Sequence, residues 1–157
     1  MILTRGPVRR LAVLGALVAS GAVGLVGAAA CGPQGPRPLR LWTQSYEFRV
    51  LADPTPPRAR EPIRYTIVVV DRNTRQVIDG GEGQIFAKSA DGVQAYDSFE
   101  PAAEAGTYTA RMTFITAGDW NMNLRFRRDS TAPIEKPVDD WVQTVRGARP
   151  ISERPVQ

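Results

Sequence analysis

Chemistry needs particular side chains, and this chain is short of them. It has no histidine and one cysteine, Cys31. Without imidazole there is no Ser-His-Asp triad and no histidine-based zinc site. Asp139 and Asp140 are adjacent. Neighbouring side chains in a strand leave opposite faces, so these carboxylates cannot act as a catalytic pair. Asp71-Arg72-Asn73 begins like a calcium loop, but Thr74-Arg75-Gln76 supplies neither the later ligands nor the glycine. Gly80-Gly81-Glu82-Gly83 is not followed by a helical pattern, so it reads as a turn rather than a phosphate cradle. Met112 and Met122 offer two thioethers, whereas copper carriage calls for imidazole or a fuller set of soft sulfur ligands. The inventory points away from an enzyme, and no cofactor and no small-molecule substrate is expected.

Cys31 is the remaining reactive group, and its setting is informative. Arg5, Arg9 and Arg10 precede a stretch from Leu11 to Cys31 that carries no charge and ends in Ala28-Ala29-Ala30-Cys31-Gly32. A basic start, an apolar run and small residues before a cut site mark an export signal. The small residues directly before Cys31 resemble a bacterial lipobox, with Ala28 standing where that motif usually has a larger aliphatic residue. The resemblance implies cleavage before Cys31 and a diacylglycerol joined to its sulfur. Two other fates fit the same residues. Cleavage after Ala30 would release a secreted protein. An uncut run of about 20 residues would span a bilayer core of roughly 30 Å, and Ala16, Ser20, Gly24 and Ala28 recur at the spacing that lets membrane helices pack closely. In every case the arginines stay inside and everything after Cys31 lies outside the cytoplasm.

Charge supports no polyanion partner. The pI is near 9.7, yet three of the 20 basic residues lie in the leader and no acid precedes Cys31, which leaves 17 basic against 16 acidic residues in the remainder. Nucleic acid is therefore not an expected partner. A single cysteine cannot staple the exported part internally, so its stability must come from a packed core. A chain of 157 residues is long enough for one such core.

Four segments are expected: a signal or anchor over 1–31, a Pro/Gly-rich linker over 32–40, a β-sandwich domain over 41–146 and a disordered tail over 147–157. Period-two alternation marks half-buried strands. It is clearest from Gly106 to Arg127, where Tyr108, Ala110, Met112 and Phe114 share one face, and Trp120, Met122, Leu124 and Phe126 share another. Met on such an inner face is usually core filler. The short break Thr116-Ala117-Gly118-Asp119 predicts that the two runs form a β-hairpin. Its outer face would carry Arg111, Arg125 and Arg127, with Arg128 beside it.

Further strands are predicted around Tyr46–Val50, at an edge or partly exposed, and over Ile63–Asp71, central and buried on both faces. Others are expected over Gln84–Lys88 and Val93–Phe99, and Val138–Val145 is either a seventh strand or a loosely packed arm. Asp91-Gly92 marks the hairpin turn between two of them. The proline-laden stretch Asp53–Pro62 is a loop. Six or seven short strands with regular turns predict an all-β, immunoglobulin-like antiparallel β-sandwich, preceded by one N-terminal hydrophobic helix; a small barrel is the alternative. Tyr108 fits either a tyrosine corner, its hydroxyl bonded back to the chain at the start of its strand, or a plain core aromatic.

Gly106-x-Tyr108-x-Ala110, Phe114, Ala117-Gly118-x-Trp120 and Leu124 together resemble the YtkA-like or FixH-like domain. The resemblance implies a small exported sandwich, often tethered to a membrane, with relatives linked to the assembly of respiratory oxidases and some copper-handling domains of similar architecture. It implies an accessory or assembly lipoprotein of a membrane complex of the electron-transfer kind. A permanent subunit held by an uncut membrane helix is the alternative, and copper delivery through Met112 and Met122 is a third reading. Contact residues for such a role are Trp42 and Trp141, which lie outside the aromatic-rich stretch, and the arginines Arg111, Arg125 and Arg127. Exposed Trp anchors partners or sits at membrane interfaces, and Arg meets acidic partners or lipid headgroups. The competing readings are that the tryptophans cap the core and that the arginines are simply solvated.

Overall fold

The structure, a computed structural model, describes residues 36–150. The expected leader with its hydrophobic helix, Cys31, the first residues of the linker and the last seven residues lie outside the described residues. The chain from Gln34 onward forms its own compact unit.

Nine strands follow one another: β1 (Leu39–Trp42), β2 (Tyr46–Asp53), β3 (Pro62–Asp71), β4 (Glu82–Ser89), β5 (Gln94–Ser98), β6 (Glu100–Pro101), β7 (Thr107–Thr113), β8 (Gly118–Arg127) and β9 (Trp141–Val145). They form two antiparallel sheets, one ordered β1-β2-β3-β7-β6 and the other β5-β4-β8-β9. Matching β2, β3, β6 and β7 to strands A, B, D and E, and β4, β8 and β9 to C, F and G, reproduces the immunoglobulin sheet order. The fold is thus an all-β antiparallel sandwich. It exceeds the six or seven predicted strands because β1 and the two-residue β6 escape the alternation rule by shortness.

The predicted hairpin does not form. β7 already has β3 on one edge and β6 on the other, while β8 lies between β4 and β9. Neither strand has an edge left for the other. The break at residues 114–117 instead carries the chain from one sheet to the other. Phe114 and Trp120 pack together across this crossing with ring centroids 5.0 Å apart, and the Trp120 indole N–H donates to the Thr116 carbonyl at 3.3 Å. Alternation reports which face is buried, and both runs bury the predicted residues. It does not report which sheet a strand joins.

Three smaller expectations also change. The strand from Tyr46 is not an edge, because β1 pairs along its other side, with Leu41 opposite Phe48 and Trp42 opposite Glu47. β1 begins at Leu39, inside the stretch read as linker. Asp139 and Asp140 precede β9 rather than lying within it. The Asp91-Gly92 hairpin does form between β4 and β5, with Gly92 at φ +83° and its N–H donating to the Ser89 carbonyl.

The core lies between the sheets. Trp120, Tyr65, Tyr108, Phe48, Phe114 and Phe126 are all fully enclosed there. Phe126 is the hub at one end, with Tyr46 5.2 Å, Tyr108 5.7 Å and Phe48 6.0 Å away between ring centroids. The Tyr108 hydroxyl donates to the Ile78 carbonyl at 2.8 Å and accepts from the Gly81 N–H at 2.9 Å. The ring is core, and the hydroxyl ties down the β3–β4 connection. Those partners lie far upstream, not at the start of the residue's own strand, so this is not a tyrosine corner. Gly106 turns the chain into β7 at φ +68°, and a Cβ there would lie 2.4 Å from the Cβ of Val77. Only glycine suits that backbone and that approach.

Candidate functional site

The predicted contact residues are not brought together. Arg111 leaves the outer face of the five-stranded sheet, since β7 belongs to it, whereas Arg125 and Arg127 leave the outer face of the four-stranded sheet through β8. Failure of the hairpin therefore dissolves the expected arginine face. The Arg127 guanidinium is engaged by Glu82, its Nε 2.8 Å from the carboxylate, and Arg128 pairs with Asp71. Trp141 is half-buried and packs against the core, as its capping reading expects. Trp42 is 48% exposed on the outer face of edge strand β1. Met112 and Met122 are buried in the core, with inner-face neighbours of the two sheets around them. Among the described residues no group of three or more His, Cys, Asp or Glu could hold a metal ion. Among them, too, no helix is long and apolar enough to cross a membrane.

The sequence did not mark the cluster that stands beside Trp42. Glu47 points to the outer face of the five-stranded sheet, yet only 2% of it is exposed. Three guanidiniums cover it: Arg49 Nε at 3.0 Å, Arg75 at 3.2 Å and Arg40 at 3.6 Å from its carboxylate oxygens. Each comes from a different place. Arg49 is two residues along the same strand, Arg40 is opposite Arg49 on β1, and Arg75 reaches over from the turn after β3. The hydrogen bond from Arg49, with the charges of Arg49, Arg40 and Arg75, holds the Glu47 carboxyl below the usual glutamate range against the opposing effect of burial. The only part of this legible in sequence is the Glu47/Arg49 spacing, which puts both side chains on one strand face. Arg40 was hidden in a stretch read as linker and Arg75 in a turn.

Next to this cluster, Asp71 closes the β3 turn. Its carboxylate accepts from the Asn73 and Thr74 N–H groups at 2.8 and 3.0 Å. Those backbone bonds, then Arg128, lower its carboxyl below the usual aspartate range. The calcium-loop resemblance of Asp71-Arg72-Asn73 is thus an aspartate-capped turn. Arg72 donates to the Thr43 carbonyl at 2.5 Å.

The four-stranded sheet presents a different outer face. A groove of about 550 Å³ is lined by Gln84, Phe99, Arg125, Arg127 and Ile134. Lys136 lies 5.7 Å from the Phe86 ring centroid. Asp140 accepts from the Asn121 and Asn123 side-chain amides and lies 3.6 Å from Lys136. At the opposite side a cleft between the sheets is lined by Leu39, Ala52, Tyr65, Trp141 and Gln143. The buried Tyr65 hydroxyl has no hydrogen-bond partner among the described residues, and burial pushes its ionisation well above the usual tyrosine range.

No protein-family model matches the chain, and no curated relative does. Two solved structures are similar in fold. A copper-bound, singly substituted variant of FetP from uropathogenic Escherichia coli strain F11 aligns over 77% of this chain and 98% of its own, at 12% identity and a TM-score of 0.49. The 'as isolated' FetP of the same strain, recombinantly expressed in the E. coli periplasm, aligns over 75% of this chain and 100% of its own, at 13% identity and a TM-score of 0.47. Neither likeness carries a function to this chain.

Proposed function

We propose that this chain is an exported, membrane-anchored binding module that works outside the cytoplasm, as an accessory or assembly lipoprotein of a membrane complex. The observation that carries the reading is the placement of Trp42. It is exposed on an edge strand, beside three arginines, and lies only eleven residues beyond Cys31. A short tether ending in an aromatic and cationic surface suits a protein that works at a membrane–water boundary. The rest of the body is a closed core whose outer faces carry ion pairs and amides, which suits recognition by surface contact. The electron-transfer character of the complex rests on the YtkA-like motif around Tyr108 and Trp120 alone.

A second reading keeps the leader as a permanent membrane helix. It is favoured by the four-residue recurrence of Ala16, Ser20, Gly24 and Ala28. Intact mass of the protein purified from its native membrane separates the two. A chain beginning at Cys31 with added acyl mass supports the lipoprotein. A chain retaining residues through Ala30 overturns lipidation and makes the helix the docking element.

A further inference from the structure

The outer face of the five-stranded sheet carries more positive charge than its own carboxylates answer. Arg40, Arg49 and Arg75 converge on the single carboxylate of Glu47, and each still exposes much of its side chain: 55%, 41% and 73%. Arg40 and Arg49 are also direct cross-strand neighbours. Like charges placed opposite one another on a sheet are unfavourable; Glu47 offsets part of that cost, and a further anion on the exposed edges of the guanidiniums would offset more.

Glu47 explains how the surplus is held. It is buried, so it cannot serve as an outward acid. Its two oxygens draw three guanidiniums together from two strands and a turn, and the edges turned away from it remain open to solvent. Backbone pairing fixes the spacing of Arg40 and Arg49, with Trp42 opposite Glu47 in the next rung on the same face. An arginine fork matches an oxyanion with paired acceptor oxygens. Three forks converging on one point ask for more acceptors than the two oxygens of a carboxylate, and a phosphate group supplies them.

We propose that Arg40, Arg49 and Arg75, assembled around buried Glu47 and bordered by Trp42, form a binding site for a phosphate group. The proposal deepens the membrane-facing reading above, because the same chemistry occurs in the phosphodiester of an anionic lipid headgroup and in free phosphate. The indole of Trp42 is placed to lie against the glycerol side of a headgroup, a position Trp favours at membrane interfaces. The other arginines do not share this arrangement. Arg64 and Arg111 form a separate cross-strand pair at the far end of the sheet, with Asp53 opposite Arg64.

The test uses the full chain in a neutral detergent, with tryptophan fluorescence as readout and chloride held constant. Sodium phosphate and dihexanoyl phosphatidylglycerol are titrated separately, with dihexanoyl phosphatidylcholine as the zwitterionic control. Saturable binding of at least one phosphate probe is expected. It should weaken about tenfold in Arg75→Gln and again in Arg40→Gln, the loss expected for one charge-assisted hydrogen bond. Arg64→Gln should bind like the native chain. Phosphatidylglycerol binding without free phosphate binding assigns the site to lipid, and the reverse assigns it to a soluble phosphate compound. Both support the site. No saturable binding of either probe overturns it and leaves the face to a carboxylate-bearing protein partner. Binding that is equal in Arg75→Gln and Arg64→Gln overturns it as well. Failure here with acylated Cys31 found by mass would refute the phosphate site while leaving the anchored-module reading intact.

Discussion

The two outer faces of this sandwich share one core and differ in how they settle their charges. On the four-stranded sheet the charges are dispersed: Arg127 pairs with Glu82, Lys136 pairs with Asp140, whose carboxylate also gathers Asn121 and Asn123, and Arg125 and Lys88 stand exposed with no ion pair among the described residues. On the five-stranded sheet three arginines meet one buried carboxylate, and an exposed tryptophan stands beside them. Single cations and single pairs spread along a face offer no point where several charges act together. A face with a built surplus is poised to meet something negative. The difference cannot be read from net charge, since the part beyond the leader is almost neutral.

The largest expected effect removes what both faces share. Phe126→Ala should destabilise the domain by about 3–5 kcal/mol, as for other large buried aromatics, seen as a lower denaturant midpoint with the cross-sheet packing lost. Gly106→Ala should cost about 1–3 kcal/mol through its left-handed backbone and the approach of Val77, measured the same way.

The next pair of variants sharpens the contrast between faces. Glu47→Gln should cost about 1–3 kcal/mol, below the 3–5 of a fully enclosed pair because water still reaches the three guanidiniums. Glu82→Gln breaks a partner pair on the opposite, solvated face and should cost less than about 1 kcal/mol. Equal costs would remove the distinction. Acid titration gives the smallest effect. The carboxyl of Glu47 is held down in the folded state, so its ionic contribution is complete above the unfolded glutamate value of about 4.3. It is lost as pH falls through the lower folded value. Stability of the native chain should therefore drop below about pH 4.3 more steeply than that of Glu47→Gln, with no difference in slope between pH 6 and 8.

Much of the fold was legible in the sequence. Alternation named the inner residues of β7 and β8, and Asp91-Gly92 named the β4–β5 turn, because both are local consequences of strand pleat and backbone sterics. Pairing was not legible. Whether Phe114–Trp120 closes a hairpin or crosses between sheets depends on β3, β6, β4 and β9 having already taken the available edges, which no local pattern records. The candidate site was lost for the same reason. Arg40, Glu47 and Arg75 are brought together by strand register and a turn, and their separate sequence contexts (a proline-rich stretch, a strand, a loop) give no sign of it. Trp42, from its position after Cys31, and the Glu47/Arg49 spacing were the foreseeable parts.

The most direct test of the claim that the five-stranded face is the working face is hydroxyl-radical footprinting in native membranes, comparing Trp42 with Tyr96 at low and high salt. Tyr96 is the internal reference, being 70% exposed on β5 of the other sheet. An electrostatically held face should screen with salt. Trp42 should therefore be protected at low salt and oxidised faster at high salt, while Tyr96 is oxidised at one rate in both. Trp42 oxidised equally at both salts, or Tyr96 protected in its place, would contradict the account.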